Sequence, residues 1–145
     1  MELFGTHASW SLLIVRVVLG VIFFAHGAQK VFGWFGGRGL QATIGYFQTL
    51  KIPLPLAVLC ALTECFGGLA VLVGFLSRPV ALGLIINMLV AIAKVHWPHG
   101  FFLNFSLQPG KGHGFEFNLA LIAMAAAVLL GGAGAFSVDR LIKPW

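Results

Sequence analysis

Four long apolar segments divide the chain, and each is about as long as the helix that crosses a lipid bilayer. They run over residues 9–31, 55–76, 79–97 and 115–132. Roughly 20 consecutive apolar residues are needed to span the hydrocarbon core of a bilayer. The pattern therefore predicts an all-α integral membrane protein, an antiparallel four-helix bundle in a single domain over residues 1–145.

The connections between the segments indicate how the helices are arranged. A tight hairpin at Ser77-Arg78-Pro79 places the second and third segments side by side and antiparallel. The first long connection contains GLQATIGYFQTLKI, whose apolar residues share one side, which predicts a short helix lying at the membrane interface. The second long connection is rich in histidine and phenylalanine, so we expect it to fold back onto the bundle or the membrane.

Each segment has one helix face on which small and polar residues recur at helical spacing. In chain order these faces are Arg16, Gly20, Phe23, Gly27 and Lys30; Cys60, Glu64, Gly67, Val71 and Gly74; Gly83, Asn87, Ala91 and Lys94; and Glu116, Ala120, Ala123, Ala127 and Gly131. Small residues let membrane helices approach closely, and polar residues bond across the gap. The sequence therefore predicts a bundle with a charged interior, in which Arg16 and Glu64 form an ion pair.

Proton-active side chains are concentrated where the two long connections meet the bundle. The candidate catalytic residues are His26, Lys30, Lys94, His96 and Glu116 of this region, together with Glu64, which is expected near the middle of the membrane. Such groups can exchange protons with a bound molecule or stabilise negative charge that develops on it. Three aromatic residues nearby, Trp34, Trp97 and Phe102, are candidates for contact with a cofactor.

Structural interpretations of the same residues remain open. Lys30 and Lys94 can extend their charges to the lipid headgroups. The tryptophans fit an aromatic belt at the membrane interface. The predicted ion pair between Arg16 and Glu64 can serve only to fix how the helices align.

Composition excludes several classes of protein. Hydrophobic residues make up 59% of the chain and charged residues 9%, against about 25% charged in a soluble domain. The net charge of +5 is spread over single basic residues without a cluster, which argues against nucleic-acid binding. Cys60 and Cys65 are five residues apart on different helix faces, so we expect neither a disulfide nor a dithiol centre. No metal site is predicted either, because the histidines of the second long connection lack a neighbouring Cys or Asp.

The order and spacing of several motifs resemble the DoxX family of small membrane proteins over nearly the whole chain. The motifs are Arg16-x-x-x-Gly20, Gly27-x-x-Lys30, Glu64-x-x-Gly67-Gly68, Gly74, Arg78 and Ala81, Glu116-Phe117-Asn118-Leu119, and the closing residues 134–139. The resemblance implies a four-helix protein of a bacterial or archaeal plasma membrane. It also implies redox chemistry, since some relatives belong to quinone-linked thiosulfate oxidation and others to oxidoreductase complexes of oxidative-stress defence. The family pattern carries over to Arg16, Lys30, Glu64, Arg78 and Glu116.

Charge placement and resemblance together favour a quinone-interacting oxidoreductase subunit with a polar pocket inside the bundle. No cofactor is encoded by a motif, so electrons would have to come from a soluble or membrane-bound redox partner. The alternative is a non-catalytic membrane anchor or assembly partner for a soluble enzyme. A small transporter ranks last, because four short helices leave little room for a pore unless the protein forms a homo-oligomer.

Overall fold

A computed structural model describes residues 4–143, and every regular element in that range is helical. Residues 1–3 and 144–145 of the predicted domain lie outside the described residues. The α-helices are α1 (Trp10–Val31), α2 (Gly39–Thr49), α3 (Leu54–Leu62), α4 (Gly68–Val73), α5 (Ser77–Ala91), α6 (Glu116–Gly131) and α7 (Val138–Ile142). A π-helical segment, Thr63–Gly67, joins α3 to α4 without a break. A second π-helical segment, Ile92–His96, and a 3₁₀ turn, Trp97–His99, extend α5.

Three of the continuous helices are long and apolar enough to cross a membrane: Trp10–Val31, Leu54–Val73 and Ser77–His99. They match the first three predicted segments to within a few residues, so the prediction of an all-α membrane protein is confirmed. The fourth apolar helix, α6, has 16 residues. Its last residue, Gly131, lies against the side chain of Leu12 near the start of α1.

The predicted hairpin between the second and third segments begins earlier than expected. The chain turns at Gly74 and Leu76, which have φ angles of 74° and 48°. Pro79 instead lies in the first turn of α5, where a residue without an N–H loses no intrahelical hydrogen bond. The Asp139 carboxylate accepts hydrogen bonds from the backbone N–H groups of Leu76 (2.7 Å) and Ser77 (2.9 Å), and so caps this helix.

Helix α1 packs closely against the continuous helix formed by α3, the π-helical segment and α4. A Cβ atom at Gly20 would lie 2.6 Å from the Cα atom of Leu72, and one at Gly27 would overlap the backbone of Cys65. Gly68 approaches the backbone of Phe24 from the other side in the same way. The glycines predicted on the face of the first segment, Gly20 and Gly27, therefore form this contact together with Gly68, as glycines do between membrane helices.

The middle of the helical domain is apolar, which corrects the prediction of a charged interior. Its core consists of Leu19, Phe23, Val71, Ala81, Leu84, Met88, Leu121, Ala125 and Val128. The face predicted for the third segment does lie against the second, since Gly83 is beside Thr63 and Asn87 donates to the Cys60 carbonyl. The small-and-polar face predicted for the fourth segment is wrong, because α6 turns larger apolar side chains inward and leaves Ala120 and Ala123 exposed. Burying these side chains avoids the cost of placing charges at mid-membrane.

The polar residues instead gather at the two ends of the domain. We call the end that contains the start of α1, the α4–α5 turn and α7 the termini end. The opposite end, with residues 32–53 and 97–115, is the loop end. The predicted short helix of the first connection forms there as α2, and it buries Phe47 against α1 and α3.

Candidate functional site

The loop end contains a buried ion pair between Lys30, in the last turn of α1, and Glu64, in the first π-helical segment. Glu64 is only 4% exposed, and the Lys30 ammonium donates to its Oε2 atom. π-Helical turns disturb the regular backbone ladder and are frequent at functional sites. The second π-helical segment, Ile92–His96, lies at the same end.

The predicted ion pair between Arg16 and Glu64 is wrong. Because Gly27 lies against Cys65, Glu64 is level with the end of α1, and Arg16 is about 16 Å away along that helix. The Arg16 guanidinium donates instead to four backbone carbonyls, those of Val71, Leu72, Ala135 and Phe136. The relative depth of the two helices is set by the glycine contacts between them, which the sequence pattern does not reveal.

A cavity of about 280 Å³, which we call the larger cavity, lies between α1, α5, α6 and the second long connection. Its polar lining comprises His26, Lys30, Glu64, His96, His113 and Asn118. Its apolar lining includes Ile22, Phe23, Met88, Leu103, Phe117 and Leu121. Four predicted catalytic residues, His26, Lys30, Glu64 and His96, therefore meet in one place.

Hydrogen bonds fix which ring nitrogens of two of these histidines remain available. The Nδ1 atom of His96 lies 2.8 Å from the carbonyl oxygen of His113, and since a carbonyl can only accept, this nitrogen donates. The Nδ1 atom of His113 accepts from the backbone N–H of Asn104 at 3.1 Å. In the neutral rings, Nε2 of His96 is therefore an acceptor and Nε2 of His113 is a donor.

A second cavity of about 180 Å³, the smaller cavity, lies on the α2 side of the same ion pair. It shares Lys30, Glu64, Ala91 and His96 with the larger cavity. The rest of its lining is Tyr46, Phe47, Leu50, Ile52, Cys60, Asn87, Val90, Lys94 and Val95. The predicted site residue Lys94 thus faces a different cavity from His26.

Comparisons with known proteins agree with this architecture. The family model of DoxX matches residues 11–97, which cover both residues of the ion pair and the second π-helical segment. The chain belongs to the DoxX family. No solved structure matches it significantly.

Relatives cover almost the whole of this DoxX chain. "Inner membrane protein YqjF" of Escherichia coli (strain K12) is 31% identical over 134 residues, 92% of this chain and 93% of that protein. "Putative oxidoreductase CatD" of Bacillus subtilis (strain 168) is 27% identical over 130 residues, 90% of this chain and 85% of that protein. "Inner membrane protein YphA" of Escherichia coli (strain K12) is 26% identical over 141 residues, 94% of each chain. The apolar helices and these relatives identify the DoxX chain as a multi-pass plasma-membrane protein.

The other predicted site residues lie outside both cavities. The Glu116 carboxylate accepts the backbone N–H of Leu103 at 2.7 Å and so holds the second long connection against α6. Trp34, Trp97 and Phe102 are 52%, 66% and 71% exposed, and none of them lines either cavity. Their outward positions match the aromatic belt that was the alternative interpretation of the tryptophans.

Sequence reasoning did not single out Asn118, Met88 and Leu103 as parts of the site. Asn118 is 6% exposed and donates to the sulfur of Met88 at 3.5 Å. A polar residue inside an apolar segment was the available signal, since such residues normally face the protein interior. Nothing in the sequence marked Leu103, because the path of the second long connection brings it back to the cavity.

Proposed function

We propose that this DoxX protein is a membrane oxidoreductase subunit that interacts with a quinone in the larger cavity. The observation that carries the proposal is the buried Lys30–Glu64 pair, which borders an otherwise apolar cavity together with three histidines. Charged groups inside membrane proteins are costly and usually mark functional sites.

The residues of the larger cavity fit the head group of a quinone. Its volume of about 280 Å³ is close to the ~300 Å³ at the lower end of ligand sites. Ile22, Phe23 and Phe117 provide apolar surface for a ring, and the polar residues provide partners for ring oxygens. A bound quinone would accept two electrons and two protons.

Four polar residues of the cavity have distinct parts in this proposal. The Lys30 ammonium stabilises negative charge that develops on a ring oxygen. Nε2 of His113 donates a hydrogen bond, and Nε2 of His96 accepts a proton or, once charged, gives it up. Glu64, which is buried, holds Lys30 in place.

The electrons must come from a partner. The two cysteines are free, and they lie on separate turns of the helix that begins at α3. The name of the relative "Putative oxidoreductase CatD" supports membership of a redox system. We therefore propose that a soluble or membrane-bound redox protein docks at the loop end.

Quinone binding to the purified full-length protein tests the proposal. Calorimetric titration with a short-chain quinone in neutral detergent should give saturable binding. Glu64→Gln and His26→Ala should each weaken it about tenfold or more, the effect of losing one charge-assisted contact. Phe105→Leu is the matched control, because Phe105 is 81% exposed on the same side of the protein. Equal affinity in all four proteins would contradict the proposal.

We also propose that α6 is a fourth membrane crossing, which completes an antiparallel four-helix bundle. It begins beside Leu103 at the loop end, and its last carbonyls accept hydrogen bonds from Arg78 at the termini end. Its 16 residues extend about 24 Å, so the adjoining loops must complete the crossing of a ~30 Å hydrocarbon core. Reporter fusions at both ends of the chain should then report the same side of the membrane, and opposite sides would refute a fourth crossing.

A non-catalytic docking role is favoured by a different observation. The second long connection exposes Phe101, Phe102, Phe105 and Leu107, with 44–81% of each side chain accessible. If a soluble enzyme co-purifies with the protein and detaches when these residues become serine, while quinone binding is absent from every preparation, the anchor function replaces the quinone proposal.

A further inference from the structure

We infer that the smaller cavity binds a small organic acid with a single carboxylate, which pairs with Lys94. This binding site lies on the opposite side of the Lys30–Glu64 pair from the proposed quinone site. The inference does not depend on quinone binding, because it rests on the charge balance of the smaller cavity alone.

The first argument is that Lys94 has no acidic partner in the described chain. The sequence contains only four acidic residues, and three of them lie within residues 4–143. Glu64 is paired with Lys30, Glu116 accepts the Leu103 amide, and Asp139 caps α5 at the opposite end. Lys94 forms no hydrogen bond or ion pair within those residues, although it lines a cavity.

The second argument is the net charge of the cavity wall. The charges of Lys30 and Glu64 cancel, so Lys94 leaves the wall with one uncompensated positive charge. Glu64 is the acidic residue of the lining, and it is already engaged. Charge near a membrane interior is most favourable when neutralised, and one carboxylate would neutralise it.

The third argument is the shape and chemistry of the rest of the lining. Phe47, Leu50, Ile52 and Val90 form an apolar wall. The volume of about 180 Å³ exceeds the ~150 Å³ of an apolar cavity known to hold benzene. An acid with one ring or a short chain therefore fits, with its carboxylate at the exposed mouth where Lys94 lies.

The hydroxyl group of Tyr46 provides a second donor for the carboxylate. Tyr46 lines the cavity and is 51% exposed, and its hydroxyl forms no hydrogen bond within residues 4–143. Asn87 also lines the cavity, and it donates one of its two amide N–H groups to the Cys60 carbonyl at 3.0 Å.

Benzoate is the probe for the test, and benzamide is its neutral counterpart of the same shape. The full-length protein in neutral, lipid-free detergent is titrated with each by calorimetry, with sodium chloride added to keep the ionic strength constant. We expect saturable benzoate binding and at least tenfold weaker binding of benzamide. Lys94→Gln should weaken benzoate binding at least tenfold, because a charge-assisted contact is lost.

Two further variants separate the site from general effects of charge. Lys94→Arg keeps the positive charge, so its benzoate affinity should remain within about threefold of the native value. Retained affinity would also show that the position tolerates substitution. Lys111→Gln removes an exposed cation outside the cavity and should leave the affinity unchanged. His113→Ala changes the larger cavity only, so it should weaken quinone binding and spare benzoate binding, which lets the two proposals fail separately.

Three results would overturn the inference. The first is equal affinity for benzoate and benzamide. The second is benzoate binding that Lys94→Gln does not change, which would indicate unspecific binding of anions. The third is binding of anionic lipid that depends on Lys94 in bilayer nanodiscs, without any benzoate binding in detergent, which would assign the cation to a lipid phosphate.

Discussion

At the termini end, three charged side chains form hydrogen bonds to backbone groups within residues 4–143. Arg16 donates to four carbonyls, Arg78 donates to the carbonyls of Gly5, Leu129 and Leu130, and Asp139 accepts two amide N–H groups. At the loop end, Lys30 and Glu64 bind each other, and their pair separates two cavities. The same types of residue are thus used in two different ways.

The charged residues of the termini end stabilise the fold, whereas those of the loop end are placed to take part in chemistry. The charges of the termini end complete the ends of helices, where carbonyl and N–H groups lack intrahelical partners. Their hydrogen bonds go to the backbone, although the buried Nε atom of Arg16 has no partner within residues 4–143. The charges of the loop end are bordered by space and by histidines, so they can exchange protons or bind another molecule.

The largest effect should come from removing Arg16. Arg16→Met removes the guanidinium donors of the Leu72, Ala135 and Phe136 carbonyls, and we expect a loss of about 3–5 kcal/mol in the free energy of unfolding. Quinone affinity per folded molecule should stay unchanged. Unfolding in mixed micelles measures the free energy of unfolding, and calorimetric titration measures the quinone affinity. A loss below about 1 kcal/mol would show that Arg16 does not hold the termini end together.

The next largest loss of stability should come from the contact between Gly27 of α1 and the backbone of Cys65. Gly27→Ala places a Cβ atom against the Cys65 backbone, and forced separation of the helices should cost about 1–3 kcal/mol. Gly45→Ala in α2 is the matched control, because open space surrounds it and alanine favours a helix by ~1 kcal/mol. Equal stability of the two variants would contradict the packing described here.

The sequence predicted the helices much better than it predicted the partners of the charged residues. Apolar length alone located the three helices that are long enough to cross a membrane, since lipid allows few other structures. The pattern of apolar residues did not indicate that Glu64 and His96 lie in π-helical segments, because a π-helical turn changes the backbone hydrogen bonds without changing that pattern. The partner of Arg16 was missed for a related reason: its bonds join residues more than 50 positions apart and go to carbonyls, which every residue has.

Breaking the loop-end pair should affect binding more than stability. Lys30→Gln should cost about 1 kcal/mol in the free energy of unfolding, because the Lys30 side chain is already 27% accessible and solvent weakens its attraction to Glu64. It should weaken quinone binding about tenfold or more. If stability instead falls as far as in Arg16→Met while affinity per folded molecule is kept, the two ends do not differ in the way proposed.

The smallest effects should follow changes to the exposed aromatic residues. Trp34→Leu and Phe102→Leu should each alter the free energy of unfolding by less than about 0.5 kcal/mol, the usual range for surface substitutions. Quinone affinity should also remain within a factor of two in titrations matched to the native protein. A tenfold loss of quinone affinity in either variant would instead indicate that these residues contact the cofactor.

Photochemical labelling locates a bound quinone most directly. The full-length protein is irradiated with a short-chain azidoquinone, and the labelled peptides are identified by mass spectrometry. We predict labels on the lining of the larger cavity, within residues 22–30, 88–96 and 103–121, and we predict that excess unlabelled quinone removes them. Labels confined to the lipid-facing groove of Leu62, Phe66, Ala70 and Gly83, or labelling that unlabelled quinone does not reduce, would contradict the assignment of the loop end as the redox site.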